Sequence, residues 1–329
     1  MGRHSRKKKK ACPYHGILLV DKPKGISSFD VIRQLRKQLK ISKIGHTGTL
    51  DPMASGVLVL CLGDATKLVQ YLTADDKYYS GEVTLGKATN TYDAEGEITA
   101  YNSWSQLHTI TQQNMIQACE HLTGKIKQKP PIFSAIKVDG ERLYAKARRG
   151  ESVEVPTRDV IIHDLKSSKY VWDESLTQIT FDIDVHCSKG TYIRSLAVDL
   201  ARELSVEGHL SALRRTACGQ FKLTACHLLD EITPESVRQQ LISIYQATQD
   251  WPHIEVNKEQ IQKIEYGQKL NSSQFTSLDK VSVSTLICAC DSHNNVVALL
   301  EKEQSNLLKV VKGFYHSRYD LNSTLSDSI

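Results

Sequence analysis

Short apolar runs alternate with amphipathic stretches along this chain. Uninterrupted apolar runs at residues 16–20 and 56–62 predict buried strands, and a third strand is expected at 77–86. Between the first two runs, Ser27 or Ser28 can cap a helix. The apolar positions of that helix recur at helical spacing on one face: Val31, Ile32, Leu35 and Leu39. The pattern therefore mixes α and β elements from the start.

The middle of the chain continues this mixture. The expected elements are a loop at 42–55, helices at 64–72 and 111–122, strands at 160–165 and 179–186, and a helix opened by Gly190 and Thr191. The last helix has an apolar face formed by Ile193, Leu196, Ala197, Leu200 and Leu204. Composition and periodicity favour an α+β protein but do not predict the order of the strands.

The length and composition indicate about two globular domains. Hydrophobic residues make up 40 % and charged residues 24 % of the 329 positions, which excludes collagen-like and wholly disordered chains. The composition changes near Trp251, and short β-rich runs follow. Residues 11–250 are therefore expected to form the large domain and residues 251–315 a small, mostly β domain. Residues 316–329 are polar and are expected to form a flexible tail.

Basic residues are concentrated in two segments. The net charge is +5, but residues 1–10 contain six bases and no acid, which leaves −1 for the rest. These ten residues are expected to form a flexible basic arm, either a solubilising tail or a non-specific contact for phosphates. Residues 124–150 have eight bases against two acids. This excess of positive charge in one segment favours binding of an anionic partner over the alternative, a solvated loop.

Several protein classes are excluded by the pattern. No apolar run approaches the ~20 residues of a membrane-spanning helix, and the run at 17–20 is too short for a secretory signal. The eight cysteines are scattered without a C-x-x-C pair, which argues against a disulfide scaffold and against a zinc site. Cys288 and Cys290 fit two buried positions on one strand face. We therefore expect a cytoplasmic protein without a metal.

The loop at residues 45–58, GHTGTLDPMASGVL, is the most informative segment. Glycines and a proline bracket one carboxylate, Asp51, ahead of a buried strand. Glycine permits unusual backbone angles and close approach of a ligand, and Pro52 restricts the backbone of Asp51. Catalytic side chains often lie on loops that a rigid scaffold holds. Taken alone, however, an Asp-Pro pair is more often an ordinary turn.

This loop resembles the signature of the TruB family of tRNA pseudouridine synthases. Further motifs of the family follow in order from about residue 14 to 225. They are DKPxGxSS from Asp21, LGDATK from Leu62, DKYY from Asp76, PIFSAIK from Pro131, CSKGTYIR from Cys187 and LRR from Leu213. A small domain like that of the family lies behind them. Seven ordered motifs make the resemblance highly specific.

The resemblance implies isomerisation of uridine 55 in the T loop of tRNA to pseudouridine. The N1–C1′ bond breaks, the base turns and C5 bonds to C1′. No cofactor and no metal are implied, because bonds are exchanged at constant oxidation state. Asp51 matches the catalytic aspartate of the family, which either attacks C1′ or C6 or takes a proton from the sugar; the sequence leaves these routes open. Arg194 matches the arginine that keeps this carboxylate ionised.

The remaining matched residues concern the base that the enzyme takes out of the stack. His46 matches the residue that occupies the vacated position. Tyr79 matches the tyrosine that stacks on the flipped uracil, and it is a weaker candidate for removing the C5 proton. Tyr192 and Leu213 match pocket residues that contact the base. Lys22 is expected to support the pocket or the loop.

The family also implies the fold and the partner. The fold class is α+β: a pseudouridine synthase fold with a long mixed, mainly antiparallel sheet, flanking helices and a C-terminal PUA-like β domain. The catalytic domain is 11–250, and 124–150 matches an insertion that grips the T arm of tRNA. The basic face at 33–40 is a second candidate for phosphate contacts. We expect a monomer that binds tRNA and needs no membrane and no obligatory protein partner.

Two other functions are compatible with parts of this pattern. The chain could be a chaperone that binds and refolds tRNA, but the combination of Asp51, Arg194 and Tyr79 argues against a pure binder. It could also be a related synthase directed by guide RNA within a protein complex. Those relatives depend on partner proteins, whereas this chain has the tRNA-gripping insertion of the stand-alone type. Turnover of a T-arm hairpin by the purified chain alone would separate these functions.

Overall fold

A long central sheet organises the molecule. The computed structural model describes residues 12–134, 137–138, 141–142, 149 and 155–314. The basic arm, the C-terminal tail and part of the predicted insertion 124–150 lie outside these residues. No helix of the described part is long and apolar enough to cross a membrane.

The strands of this part are, in chain order, β1 (Gly16–Lys22), β2 (Ile44–His46), β3 (Ala54–Leu62), β4 (Lys77–Leu85), β5 (Lys87–Thr89), β6 (Ile98–Tyr101), β7 (Gly124–Gln128), β8 (Lys137–Val138), β9 (Glu141–Arg142), β10 (Arg158–Asp173), β11 (Gln178–Cys187), β12 (Gly208–Cys218), β13 (Phe221–Lys222), β14 (His227–Leu228), β15 (His253–Glu255), β16 (Leu270–Asn271), β17 (Leu286–Cys290), β18 (Val296–Lys302) and β19 (Leu307–Gly313). The α-helices are α1 (Ser28–Gln38), α2 (Val69–Leu72), α3 (Trp104–Leu107), α4 (Gln112–His121), α5 (Ile193–Glu203), α6 (Val237–Gln240), α7 (Ile244–Ala247) and α8 (Lys258–Glu265). Helices and strands are therefore mixed along the chain, as the apolar pattern predicts.

The main sheet has the strand order β14-β1-β3-β12-β4-β11-β10-β7, with β2 beside β3 and β13 beside β12. The pairs β1–β14 and β3–β12 are parallel, and the other pairs are antiparallel. This confirms the expected mixed, mainly antiparallel sheet with flanking helices. The parallel β3–β12 pair places the loop that enters β3 over the middle of the sheet.

Gly56 is required where β3 meets β12. It pairs with Arg215 and has a φ of +103°, a backbone conformation that L side chains rarely adopt. A Cβ at Gly56 would lie 2.2 Å from the carbonyl oxygen of Arg215. The close approach of the two strands therefore depends on glycine at this position.

The two serines at the start of helix α1 have different roles. Ser27 is the N-cap and forms a capping box with Asp30. Ser28 is buried inside the helix, and its hydroxyl instead accepts a hydrogen bond from the backbone N–H of Leu50 at 2.8 Å. The predicted apolar face of the helix is buried against the sheet. Helix α1 thus reaches the loop that contains Asp51.

Three sequence expectations need correction. Residues 63–68 form a 3₁₀ helix and only α2 is α-helical, because Gly63 turns the chain out of β3 with φ +57° and the N–H of Asp64 donates to His15. The expected loop at 42–55 contains β2, which pairs with β3. Residues 124–128 belong to the main sheet, since β7 pairs with β10. The basic segment can therefore leave the sheet only after Gln128.

A second sheet follows in the C-terminal part, with the order β15-β17-β18-β19-β16. One face of this sheet packs over a hydrophobic core formed only by the C-terminal part, and the other face packs onto the large domain. Cys288 and Cys290 both point into the shared core, as the spacing predicts. They meet apolar side chains from β1 and β3, among them Ile17 and Val57. No disulfide joins the eight cysteines, all of which lie in the described part.

Candidate active site

A cavity of about 570 Å³ opens above the middle of the main sheet. This is a usual size for a small-molecule or nucleoside site. Five of the residues expected from the sequence line it: Asp51, Tyr79, Tyr192, Arg194 and Leu213. They come from the loop before β3, from β4, from the start of α5 and from β12. The fold therefore brings together side chains that are up to 162 residues apart in the sequence.

Asp51 and Arg194 form an ion pair in this cavity. Arg194 Nε lies 2.8 Å from Asp51 Oδ2. The arginine side chain is only 5 % exposed, whereas 35 % of the aspartate side chain is exposed. The carboxylate consequently has a fixed cation on one side and open space on the other. That arrangement suits a group that must stay ionised and still reach a substrate.

The guanidinium of Arg194 is held in place by further partners. It donates to the carbonyl oxygens of Thr91 at 2.9 Å and Phe133 at 3.0 Å. Its Nη1 also lies 3.3 Å from Oδ2 of the buried Asp93. One arginine is thus shared by two carboxylates. Sequence reasoning missed Asp93, whose only signal was a carboxylate inside the turn-rich stretch 89–96.

The backbone around Asp51 is fixed from below by the DKPxGxSS motif. The buried Lys22 Nζ donates to the carbonyl oxygens of Pro23 at 2.8 Å and Ile26 at 2.7 Å, and it lies 3.5 Å from the carbonyl of Pro52. The N–H of Gly25 also donates to Pro52 O, at 2.8 Å. Lys22 does not line the cavity; it lies under the residue that follows Asp51.

Burial lowers the pKa of Lys22 to about 8, although the nearby Asp51 carboxylate opposes this effect. The ammonium is therefore still mostly protonated at neutral pH. The amino group donates to the carbonyl oxygens around it, while its burial disfavours the positive charge.

Arg215 is the second fixed point of the loop. Its side chain is buried, and it donates to the carbonyl oxygens of Val57 at 2.7 Å, Gly48 at 3.1 Å and Thr49 at 3.5 Å. These contacts bind both ends of the loop to β12. The sequence analysis includes Arg215 in the LRR motif but predicts no role for it. The signal was the pair of basic residues, Arg214 and Arg215, inside a strand.

Tyr79 stands at the bottom of the cavity. Burial raises its pKa to about 12, although the nearby positive charge of Arg215 opposes this effect. A phenol with this pKa is protonated at neutral pH. Tyr78, its neighbour on β4, is exposed and stacks on His186 with ring centroids 4.1 Å apart. Only Tyr79 of this pair reaches the cavity, as strand alternation predicts.

Tyr192 caps the start of α5 and is anchored through its backbone. Its N–H donates to Gln128 Oε1 at 2.7 Å, and its carbonyl accepts from Gln128 Nε2 at 3.0 Å. The guanidinium of Arg158 lies 5.3 Å from the ring centroid of Tyr192. This aromatic residue therefore has a fixed backbone beside a cation at the edge of the cavity.

His46 lies at the end of β2, beside the cavity rather than in its lining. Burial, with Arg215 nearby, lowers the pKa of its imidazole. The ring is therefore neutral at neutral pH. Its Nδ1 is shielded from solvent and makes no hydrogen bond within the described residues. The next residue, Thr47, does line the cavity.

The chain is similar to known proteins over most of its length. Residues 36–193 match the family model described as TruB family pseudouridylate synthase, N-terminal domain. The chain is 40 % identical over 306 residues to tRNA pseudouridine synthase B of Bacillus anthracis, with 90 % of this chain and 96 % of that one covered. The chain belongs to the TruB family. Its relative in Geobacillus thermodenitrificans, also a tRNA pseudouridine synthase B, is 42 % identical over 268 residues, which cover 79 % and 87 % of the two chains.

Solved structures agree with this family in fold. A chain in the crystal structure of a Cbf5-Nop10-Gar1 complex has a TM-score of 0.65 at 22 % identity, with 97 % of this TruB-family chain and 94 % of that one covered. A chain of an H/ACA RNP bound to a substrate RNA containing 2′-deoxyuridine has a TM-score of 0.64 at 22 % identity, with 91 % and 85 % covered. The family and the fold expected from the motifs are confirmed.

Proposed function

We propose that uridine 55 in the T loop of tRNA is the substrate of this TruB-family pseudouridine synthase, and that Asp51 is its catalytic carboxylate. One observation carries the proposal: the exposed edge of Asp51 faces the cavity while the fixed guanidinium of Arg194 lies 2.8 Å behind it. A chain that only binds RNA has no need of such a pair.

The proposed reaction exchanges bonds within one nucleotide. The N1–C1′ bond breaks, C5 bonds to C1′, the proton on C5 leaves and N1 is protonated. Asp51 either forms a covalent bond to C1′ or C6 or takes a proton from the sugar. Both routes need the ionised carboxylate, which the positive charge of Arg194 favours.

The aromatic and apolar lining would hold the base while it turns. The target uracil must leave its stack, at a cost of a few kcal/mol. Tyr79 and Leu213 form the apolar bottom of the cavity, and Tyr192 stands at its edge. Because its phenol is protonated at neutral pH, Tyr79 is better suited to stacking than to accepting the C5 proton.

RNA affinity would come from phosphate contacts around the cavity. Lys189 lines it, and Arg158 stands beside Tyr192 at its edge. Arg33 and Lys37 are exposed on α1. The basic segment 124–150 remains a prediction as a T-arm contact. We also propose that the chain works as a monomer in the cytoplasm.

The test is tritium release from an unmodified tRNA transcript labelled at C5 of its uridines. The wild-type chain is expected to release tritium, and Asp51→Asn, which keeps the size and removes the charge, is expected to lose at least 10³-fold in rate while it still binds tRNA. Asp279→Asn, an exposed aspartate of the C-terminal part, is the matched control and should keep full activity.

A transcript with cytidine at position 55 tests the position. It should release no tritium. Release from this transcript would mean that another uridine is modified. If the wild-type chain binds tRNA without releasing tritium, the chaperone function replaces the proposed one.

A further inference from the structure

Three potential metal ligands converge beside the cavity, although the sequence shows no metal-ligand spacing. They are Asp76, His163 and His186, and their ligand atoms all lie within 4.8 Å of one another. The sequence shows no cluster with metal-ligand spacing, and this group of side chains comes together only in the fold. The three residues are 87 and 23 positions apart in the sequence, so only the fold reveals the cluster.

Strand pairing explains how the three side chains meet. His186 on β11 faces Tyr78 on β4, and Asp76 directly precedes β4. On the other side, β10 has a register shift between Ile162 and Asp164, so His163 is an extra residue in that strand. Bulges of this kind redirect a side chain. As a result, the rings of His163 and His186 lie 4.5 Å apart.

Two of the three distances between the ligand atoms match those of a tetrahedral metal site. Asp76 Oδ2 lies 3.2 Å from His163 Nε2 and 3.3 Å from His186 Nε2. Ligand atoms about 2.0–2.1 Å from a tetrahedral Zn²⁺ stand about 3.3–3.4 Å apart. The carboxylate oxygen therefore already has the spacing that a shared ion would require.

Hydrogen bonding does not account for the orientation of His186. Its Nε2 is shielded from solvent and makes no hydrogen bond to the described residues, in spite of the carboxylate oxygen at 3.3 Å. The ring is kept in place by Tyr78, which stacks on it nearly parallel. A buried imidazole nitrogen that lies beside a carboxylate and makes no hydrogen bond can serve as a metal ligand.

We propose that Asp76, His163 and His186 form a binding site for Zn²⁺ or a similar divalent transition metal. Two imidazole nitrogens and one carboxylate oxygen are a ligand set that zinc accepts, with the fourth position open to water or another ligand. The three side chains are 27–41 % exposed, so a solvent ligand can enter. Lys77, next to Asp76, and Ser188, two residues after His186, line the cavity. A bound ion would thus lie at its rim.

The proposal is tested by calorimetric titration of Zn²⁺ into the untagged, chelator-treated full chain. The wild type is expected to bind one ion per chain, and His163→Asn and His186→Asn are each expected to bind at least 10-fold more weakly. His121→Asn is the matched control, since His121 lies 3.2 Å from the carboxylate of Glu203 without a second imidazole. It should bind like the wild type. Circular dichroism checks that each variant is folded.

Co²⁺ gives a second measurement that reports the ligands. The wild type should show the visible absorption of tetrahedral cobalt without the near-ultraviolet band of thiolate ligation. Equal Zn²⁺ affinity of the wild type and His163→Asn would overturn the proposal. A thiolate band would also overturn it, by assigning the ion to cysteines. Absence of binding at millimolar Zn²⁺ would show that the cluster is only a group of neighbouring polar side chains.

Discussion

Two buried arginines bracket the loop of Asp51, and they differ in what they bind. Arg194 pairs with two carboxylates, those of Asp51 and Asp93. Arg215 donates to three backbone carbonyls, those of Val57, Thr49 and Gly48. Arg194 therefore provides a positive charge beside the carboxylates of the site, whereas Arg215 holds the backbone of the loop in its conformation. Burial alone does not distinguish these roles; the partner atoms do.

The largest effect is expected at Arg194. Arg194→Lys keeps a positive charge but loses the planar fork that reaches Asp51, Thr91 and Phe133 together. We expect the single-turnover rate of pseudouridine formation to fall about 10³-fold, with tRNA affinity nearly unchanged. Single-turnover kinetics and filter binding measure the two quantities. A rate within 10-fold of the wild type would show that the fixed guanidinium is not needed.

Arg215→Lys should distinguish the role of Arg215 in holding the loop from the role of Arg194 in pairing with the carboxylate of Asp51. A lysine cannot reach three carbonyl oxygens at once, so buried acceptors lose their donors. We expect the free energy of unfolding to fall by about 2–4 kcal/mol. Urea denaturation measures it. The comparison fails if this variant is as stable as the wild type and instead loses activity like Arg194→Lys.

A smaller effect is expected from Tyr79, where two variants distinguish its ring from its hydroxyl. Tyr79→Leu removes the aromatic face and should reduce the single-turnover rate about 10²-fold. Tyr79→Phe keeps the face and removes only the hydroxyl group, so a smaller loss of about 10-fold is expected. Equal losses in both variants would mean that the hydroxyl itself takes part in the reaction.

The smallest effect concerns the pH dependence of stability at Lys22. Its pKa is about 8 in the folded chain and near 10.4 in an unfolded one. Between these values the unfolded chain binds more protons, so the contribution of Lys22 to stability rises with pH. We expect the wild type to gain about 1 kcal/mol relative to Lys22→Met between pH 8 and 9. Urea denaturation at both pH values measures this, and a constant difference would contradict it.

The sequence was most informative where several motifs meet. Asp51 and Arg194 were predicted as partners from their motifs alone, and the structure places them in contact. Asp93 was missed because its turn has no periodic pattern, and its role depends on an arginine about one hundred residues later. The cluster around His163 was missed because a strand bulge leaves no trace in the apolar pattern. Both failures concern contacts between distant segments.

The hydrophobic core that the two sheets share determines whether the C-terminal sheet can be removed from the large domain. Phe314 and Leu299 of the C-terminal sheet are fully buried in one cluster with Val59 of β3, the strand that follows the loop of Asp51. Removing the C-terminal sheet would expose that face of β3 to water. The second sheet is thus not an exchangeable module. A protease that cut near residue 252 would be expected to release fragments that aggregate, not an independent synthase.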